Sequence, residues 1–576
     1  MKTQLLIIAF LTCLFGLANN VNVRSLTVDG APYQNPRLTN QNTGTHITNV
    51  RCDITWENSW RTGSAPNNWD AVWVFVKYKL STDASGAAWK HATLSTTPSN
   101  YSVSGVDGNN NGVAPTFAPA SDGKGLFIYR AGNGTGNIDW RGLLLQWNYG
   151  TDGVADNASV KFQVFAIEMV WIPTGSFYIG DGGAQAGKFV QTQITTSDAT
   201  AMGGYATGVN GVASIGKPDA SGAMDGSVSN PDWPNGYLGY YIMKYEMSQS
   251  QYVDFLNTLT YYQQWTNICK GNGWAPSNSA GTRVMWNPGA GSSYRNYVRV
   301  KTSGVNNTTP AVFGVDYNGD GTYGDGGDIP LNNINWSPAL AYTDWACLRP
   351  MTEYEYEKAA KGPNVPVTNS YAWGTTAIYA GVFDNGAGGI QNAGQSNELP
   401  WAYSSTANAN CFSNTFNGGS PSTSYLIQGP LRCGSFAAVT TGGANDRPIS
   451  GGSYYGVMEL SGNLEEMVVT IYSTASNGAG FPFYYGQKIK YYHNGDGTLY
   501  DYNDSGNDGK YVDPSFNYPW PNGTSGWGYR GGDWYYPNYL CVTSDRSNCE
   551  INTAPGFADP VNGGGPWLGF RAVRTY

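Results

Sequence analysis

Three runs in the chain place oxygen-bearing side chains at alternate positions and then reach a glycine. They are Asp316-Tyr-Asn318-Gly-Asp320-Gly321, followed by Asp325 and Asp328; Asp501-Tyr-Asn503-Asp504-Ser505-Gly506, followed by Asp508; and Asp107-Gly-Asn109-Asn-Asn111-Gly112. Carboxylate and amide oxygens in this pattern, with glycine at the sixth position for a sharp turn, suit a hard cation such as calcium. An EF-hand also needs a bidentate glutamate at the twelfth position, where Gly327, Val512 and Ala118 stand. The runs are therefore calcium loops of another kind or polar turns, because Asn, Asp and Gly dominate turns as well.

Sulfur offers a second chemistry. Beyond Cys13 the chain carries Cys52, Cys269, Cys347, Cys411, Cys433, Cys541 and Cys549. No two are spaced as CxxC, which excludes zinc-ribbon and thioredoxin-type sites. Cys411 and Cys433, and Cys541 and Cys549, are the pairs closest in sequence, but nearness does not fix connectivity. Cys347 reads equally well as a small buried apolar residue. No Gly-x-Ser-x-Gly nucleophile elbow occurs. Gly211 to Lys217 imitates a phosphate loop, but Pro218 replaces the hydroxyl residue that would hold magnesium.

The elements that would position these residues fall into two blocks. Residues 19–168 read as strands separated by Gly, Asn, Asp and Pro turns: Val72 to Tyr78, Leu126 to Tyr129, Leu143 to Trp147 and Val160 to Ile167. That spacing predicts an antiparallel β-sandwich. From Met169 the texture changes. Ser248 with Gln251, and Thr352 with Glu355, form capping boxes that start helices. Another helix is expected to start near Ser337 with Pro338 at its first position, and Gly362 should end the helix that begins at Thr352. The remainder, roughly 363–576, is loop-rich. Residues 1–18 read as a secretory signal: Lys2, an apolar stretch from Leu5 to Leu17, then small Gly16 and Ala18. The rival is a lipoprotein signal at Cys13.

Composition narrows the function classes. The chain has 576 residues, a net charge of −9 and 14 % aromatic residues. That aromatic content excludes disorder for most of the chain, and the acidic balance argues against nucleic acid as a partner. Nothing beyond the leader is long and apolar enough for a membrane span.

Six segments in order carry a resemblance. They are Met169-Val-Trp-Ile-Pro-Thr-Gly-Ser-Phe-Tyr-Ile-Gly; Tyr241 to Leu256; Ile334-Asn-Trp-Ser-Pro-Ala-Leu-Ala-Tyr running on to Arg349-Pro-Met-Thr-Glu-Tyr-Glu-Tyr-Glu-Lys-Ala-Ala-Lys-Gly; Met458-Glu-Leu-Ser-Gly-Asn-Leu-Glu-Glu; Arg530-Gly-Gly-Asp-Trp; and Leu568-Gly-Phe-Arg-Ala-Val-Arg. Residues 169–576 resemble the formylglycine-generating enzyme (sulfatase-modifying factor) domain, which implies a C-type-lectin-like fold with little regular structure. The front block resembles modules that precede this domain in exported bacterial proteins. The fold class expected is thus β-rich α+β.

The resemblance also bears on chemistry. Family oxidases hold copper(I) on two cysteines five positions apart, just after a Gly-Gly-Ser segment; sulfur is the natural ligand for this soft ion. Here Tyr536 takes the first position, Cys541 the second, and Asp533 the place of the serine. A lone thiolate leaves the two-sulfur site incomplete, and oxidase activity is expected to be lost, with Cys541 structural and bridged to Cys549. The histidine–iron branch of the family needs histidines that His46, His91 and His493 do not supply. The resemblance implies calcium at Asn463 and Glu466, with Glu465 replacing the usual tryptophan. Calcium ligands are expected at Asp316, Asn318, Asp320, Asp325 and Asp328, at Asp501, Asn503 and Asp508, and at Asn463 and Glu466. The functional expectation is a noncatalytic, exported structural or assembly protein of the bacterial cell exterior, partnered by itself or by other surface components. A glycan- or peptide-binding module and a copper-dependent oxidase are the alternatives.

Overall fold

The computed structural model of the chain describes residues 22–24, 27–28, 31–32, 37–103, 112–183, 185, 188–189, 191–197, 234–269, 273–286, 294–306, 308–378, 390–400, 408–411, 427–437, 446–469, 527–549 and 564–575. The leader 1–18, the Asp107 run and the run of Asp501, Asn503 and Asp508 lie outside the described residues.

Strands dominate, and almost all pair antiparallel. One sheet is built on Ile47–Arg61 and Gly134–Trp147, which pair along most of their length. The larger sheet has eight strands, with Val160–Ile172 at its centre. On one side Val160–Ile172 pairs with Asp70–Leu80, from Val160 opposite Leu80 to Val170 opposite Asp70. On the other it pairs with Tyr240–Met243, which in turn pairs with Ala572–Thr575 near the end of the chain.

Period-2 alternation explains why Asp70–Leu80 is buried on both faces. Val72, Val74 and Val76 face one core, shared with Val50, Ile54, Ile138 and Leu143 of the first sheet. Trp73 and Phe75 face the other core, shared with Tyr241, Phe255, Tyr342 and Trp345. The expected boundary between residues 168 and 169 thus falls inside one strand, and the two blocks share both a sheet and a core. Polar ties reinforce the junction. Trp73 Nε1 donates to the Ala346 carbonyl at 2.8 Å, and Asn68 Nδ2 to the Tyr455 carbonyl at 2.7 Å. Lys77 Nζ donates to the Trp345 carbonyl at 2.6 Å and lies 2.9 Å from His91 Nδ1. Burial and the neighbouring Lys77 hold His91 well below the ordinary imidazole range, so that ring is neutral.

The helices are short. Gln249–Leu256 and Glu353–Lys361 start at the expected Ser248 and Thr352, each with both capping-box bonds made. The helix expected near Ser337 is Trp336–Trp345, capped by Asn335 without a side-chain bond. A further helix, Tyr261–Thr266, has a third capping box, Thr260 with Gln263. Among the described residues no helix is long and apolar enough to cross a membrane.

Trp73→Ala should cost about 3–5 kcal/mol. Denaturant unfolding followed separately in the two blocks should still give one transition, because Trp73 sits in a core that both build. Two separated midpoints would contradict the shared core.

Candidate functional site

The site is framed by a lattice of buried charges. Arg530 donates to Glu353 Oε2 at 2.8 Å and to Glu357 Oε1 at 2.7 Å. Arg546 grips Glu353 through both of its oxygens, at 2.5 and 2.9 Å. Lys361 closes on Glu357 Oε2 at 2.5 Å, and that oxygen also accepts from Gly180 N at 2.7 Å. Lys361 and Arg530 hold Glu357 below the usual carboxylate range despite its burial. The segment that begins Arg530-Gly-Gly-Asp-Trp is thereby pinned to the helix Glu353–Lys361.

Asn463 is the second anchor. Its backbone is left-handed, with φ 72°. Its N–H donates to the Asn410 carbonyl at 2.8 Å, and its carbonyl accepts from Trp534 N at 3.1 Å. Its Oδ1 accepts from Leu431 N at 2.8 Å and from Asn410 Nδ2 at 3.1 Å. Its Nδ2 donates to Glu246 Oε2 at 2.6 Å. Glu466 is gripped by Arg571, whose Nε and terminal nitrogen reach it at 2.6–3.1 Å. Asn463 and Glu466 are thus engaged by protein groups. A hard cation at Glu466 would have to displace Arg571, and these two residues do not fit calcium.

The Asp316 run is a tight turn. Asp316 accepts from Gly319 N at 2.6 Å and Gly321 N at 3.2 Å, and Asn318 Oδ1 from Asp320 N at 3.0 Å. Asp320 Oδ1 accepts from Thr322 N at 2.7 Å, which together with that residue's side chain holds Asp320 below the ordinary carboxylate range. Gly321 has φ +83°, as the sixth position of a calcium loop requires. Asp325 Oδ1 turns back to Tyr317 N at 2.9 Å, and the Asp328 carbonyl accepts from Cys433 N. Asp316, Asn318 and Asp320 lie together, Asp325 folds back onto the same turn through the Tyr317 N–H, and Asp328 is tied through its backbone carbonyl to Cys433. Among the described residues no three His, Cys, Asp or Glu side chains converge as a metal site.

Cys541 is fully buried, and a hydrogen bond to Cys411, together with burial, holds its thiol well above the ordinary range. Cys411, also buried, comes from a segment far away in sequence and stands in the same apolar cluster with Tyr371 and Trp373. The expectation that Cys541 has no second sulfur beside it is thereby corrected. All seven described cysteines are free thiols, and the pairings drawn from nearness in sequence are not made. Cys549 donates instead to the Tyr529 carbonyl at 3.0 Å, and Cys433 to the Glu246 carbonyl at 3.6 Å. No spacing rule signals Cys411, because its approach depends on Asn463 holding Asn410.

Two further carboxyls lie beside this pair. Asp533 Oδ1 accepts from Tyr535 N at 2.6 Å and Tyr536 N at 2.9 Å, while its Oδ2 is buried without a partner. Burial raises Asp533, and burial with the Asp533 charge raises Glu465 well above the carboxylate range. Glu465 also accepts from Asn548 at 2.5 Å. The ring of Tyr536 stands edge-on to Trp567, with centroids 5.3 Å apart, and Tyr535 stacks on the same indole. Tyr535 and Tyr539 are exposed, so this loop presents an aromatic rim above a closed interior.

A family model described as the sulfatase-modifying factor enzyme 1-like domain matches residues 157–576, beginning just ahead of the strand Val160–Ile172. No curated protein matches the chain.

The raised Asp533 gives a pH prediction. A carboxyl raised in the folded state favours folding at acid pH, and that contribution is lost as pH rises from the ordinary aspartate range through the raised value. Asp533→Asn should flatten this part of the stability profile measured by denaturant unfolding. An unchanged profile would show that Asp533 is not the group that titrates.

Proposed function

The chain belongs to the sulfatase-modifying factor enzyme 1-like family, and on that footing we propose that it is a noncatalytic, exported structural or assembly protein of the cell exterior, stabilised by calcium. In this reading the front block is a β-sandwich leading into a C-type-lectin-like family domain. The observation that carries the noncatalytic part is the state of Cys541. Its side chain is 0 % exposed, and its Sγ lies 2.7 Å from where a Cβ on Gly532 would stand. A buried thiol held protonated is a poor nucleophile and a poor metal ligand, since both roles need the thiolate. Tyr536 replaces the sulfur of the family oxidases. Cys411 restores a second sulfur but is itself 5 % exposed, so neither offers a substrate thiol an approach.

Calcium would be held by Asp316, Asn318 and Asp320, in a turn that already has the glycine geometry of such a loop. Export and self-association rest on the leader-like start, the low charge and the exposed sheet edges of the first block. A second reading, glycan or peptide binding, is favoured by the aromatic rim of Tyr535, Tyr539 and Trp567, because flat rings offer stacking surfaces.

Two measurements test the proposal. Copper-dependent oxygen uptake with a thiol peptide should stay at background; turnover abolished by Cys541→Ser would make the protein an oxidase. Calcium at about a hundred times its Kd should add about 2.7 kcal/mol of stability, read as a higher Tm that chelator removes and Asp316→Ala abolishes. A Tm indifferent to calcium would remove the ion from the account. Specific glycan-array binding by a monomer would favour the second reading.

A further inference from the structure

We propose that the ring of His91 is a pH-sensitive latch on the joint between the two blocks, closed while the imidazole is neutral and released when it takes up a proton. The latch lies where the helix Trp336–Trp345 ends against the large sheet. The last carbonyls of a helix find no partner within it, and here three successive carbonyls are met from strands of that sheet. Lys77 Nζ donates to the carbonyl of Trp345 at 2.6 Å, Trp73 Nε1 to that of Ala346 at 2.8 Å, and Arg574 to that of Cys347. Cations at this end also complement the helix dipole. Cys347 is left-handed, with φ 54°, so the chain turns away sharply once these contacts are made.

Lys77 is placed by His91. The two residues are cross-strand partners, and Nζ lies 2.9 Å from Nδ1. Across the ring, Nε2 lies 2.5 Å from the Lys124 carbonyl. A carbonyl only accepts, so Nε2 carries the hydrogen and Nδ1 turns its lone pair to the ammonium. The ring stacks on Phe75, with centroids 5.7 Å apart, and Cys347 Sγ stands 3.7 Å from Nδ1. The charged groups that bear on the ring are Lys77 of the neighbouring strand, Lys124 of the turn before Leu126–Arg130, and Arg574 of the strand Ala572–Thr575. All three are cations, and each disfavours a further positive charge. Asp122 is engaged by Arg574 at 2.6 Å. Asp344, on the helix, bears on the Cys347 thiol, which burial keeps protonated.

A proton on Nδ1 turns that acceptor into a donor and sets a second cation against Lys77 at hydrogen-bond distance. Lys77 must then withdraw, and the donor on the Trp345 carbonyl goes with it. Because His91 and Lys77 are both buried, the charged pair is accommodated only with the helix end lifted from the sheet, where water reaches both groups. The sign follows from proton linkage. Burial and Lys77 hold the ring below its ordinary value of 6.5 in the folded chain. The open form therefore binds the proton first, and stability is lost as pH falls below about 6.5. Asp533 acts in the opposite direction, since its carboxyl favours folding in acid. The latch is independent of calcium, of Cys541 and of where the protein resides.

The test compares the purified full chain with His91→Gln, whose amide can accept from Lys77 and does not titrate. Denaturant unfolding is followed from about pH 7.5 to about pH 5.5. Relative to the variant, the folding constant of the wild-type chain should fall about tenfold over that interval, the effect of one proton taken up on opening. Parallel profiles for the two chains would overturn the proposal. In the wild-type chain, amide hydrogen exchange corrected for its intrinsic pH dependence should rise at the acid end in peptides from 336–348. Peptides from 134–147, in the other sheet, should not change. Exchange at 336–348 that is indifferent to pH would overturn the latch even where the variant fails to fold.

Discussion

The interaction on which the second block depends is the buried lattice of Arg530, Arg546, Glu353, Glu357 and Lys361. Removing ions from water costs several kcal/mol each, and only complete pairing offsets that cost. Here Arg530 reaches both Glu353 and Glu357, Arg546 further along the same stretch of chain grips Glu353, and Lys361 and Gly180 N complete Glu357. In a block with short helices and long connections, such a lattice does what an extended sheet does elsewhere. It fixes where loops run. The loop after Arg530 inherits its place from this clamp, and Cys541, Asp533 and Tyr536 inherit theirs from the loop.

A second set of buried polar groups completes the frame. Arg571 grips Glu466 and also donates to the carbonyls of Met243, Lys244 and Met458. Asn463 joins Glu246, Asn410, Leu431 and Trp534. The Gly-Asn-Leu-Glu-Glu segment is thus a junction of backbone and ion-pair contacts. That explains why asparagine at a left-handed position and a glutamate three residues on occur together: one tolerates the strained backbone and the other neutralises an arginine that is itself buried.

Much of the local structure was legible because its causes are local. Ser248 with Gln251 and Thr352 with Glu355 mark helix starts through bonds that span three residues, and Gly362 at φ 75° closes the second helix. The strands of the first block follow from β-branched and aromatic runs. The family was legible because six segments recur in order. What was hidden is non-local. Val160–Ile172 continues past the expected boundary because Met169 and Val170 pair with strands on both sides, a fact no window on either block contains. Thr260 with Gln263 carries a helix signal of the same kind as the other caps, over a helix of only six residues. Cys411 meets Cys541 through Asn463, and the glutamates of the 353–361 helix find arginines far away in the chain, so neither contact has a spacing to read.

The strand Val160–Ile172 has a mechanical consequence. It is held to Asp70–Leu80 through eleven consecutive residue pairs, and its far end is held by Tyr240–Met243. Tension applied along this strand would load those backbone hydrogen bonds together, in shear, instead of peeling them open one after another. Pulling the front of the molecule away from its rear in that direction would therefore rupture at high force and nearly all at once.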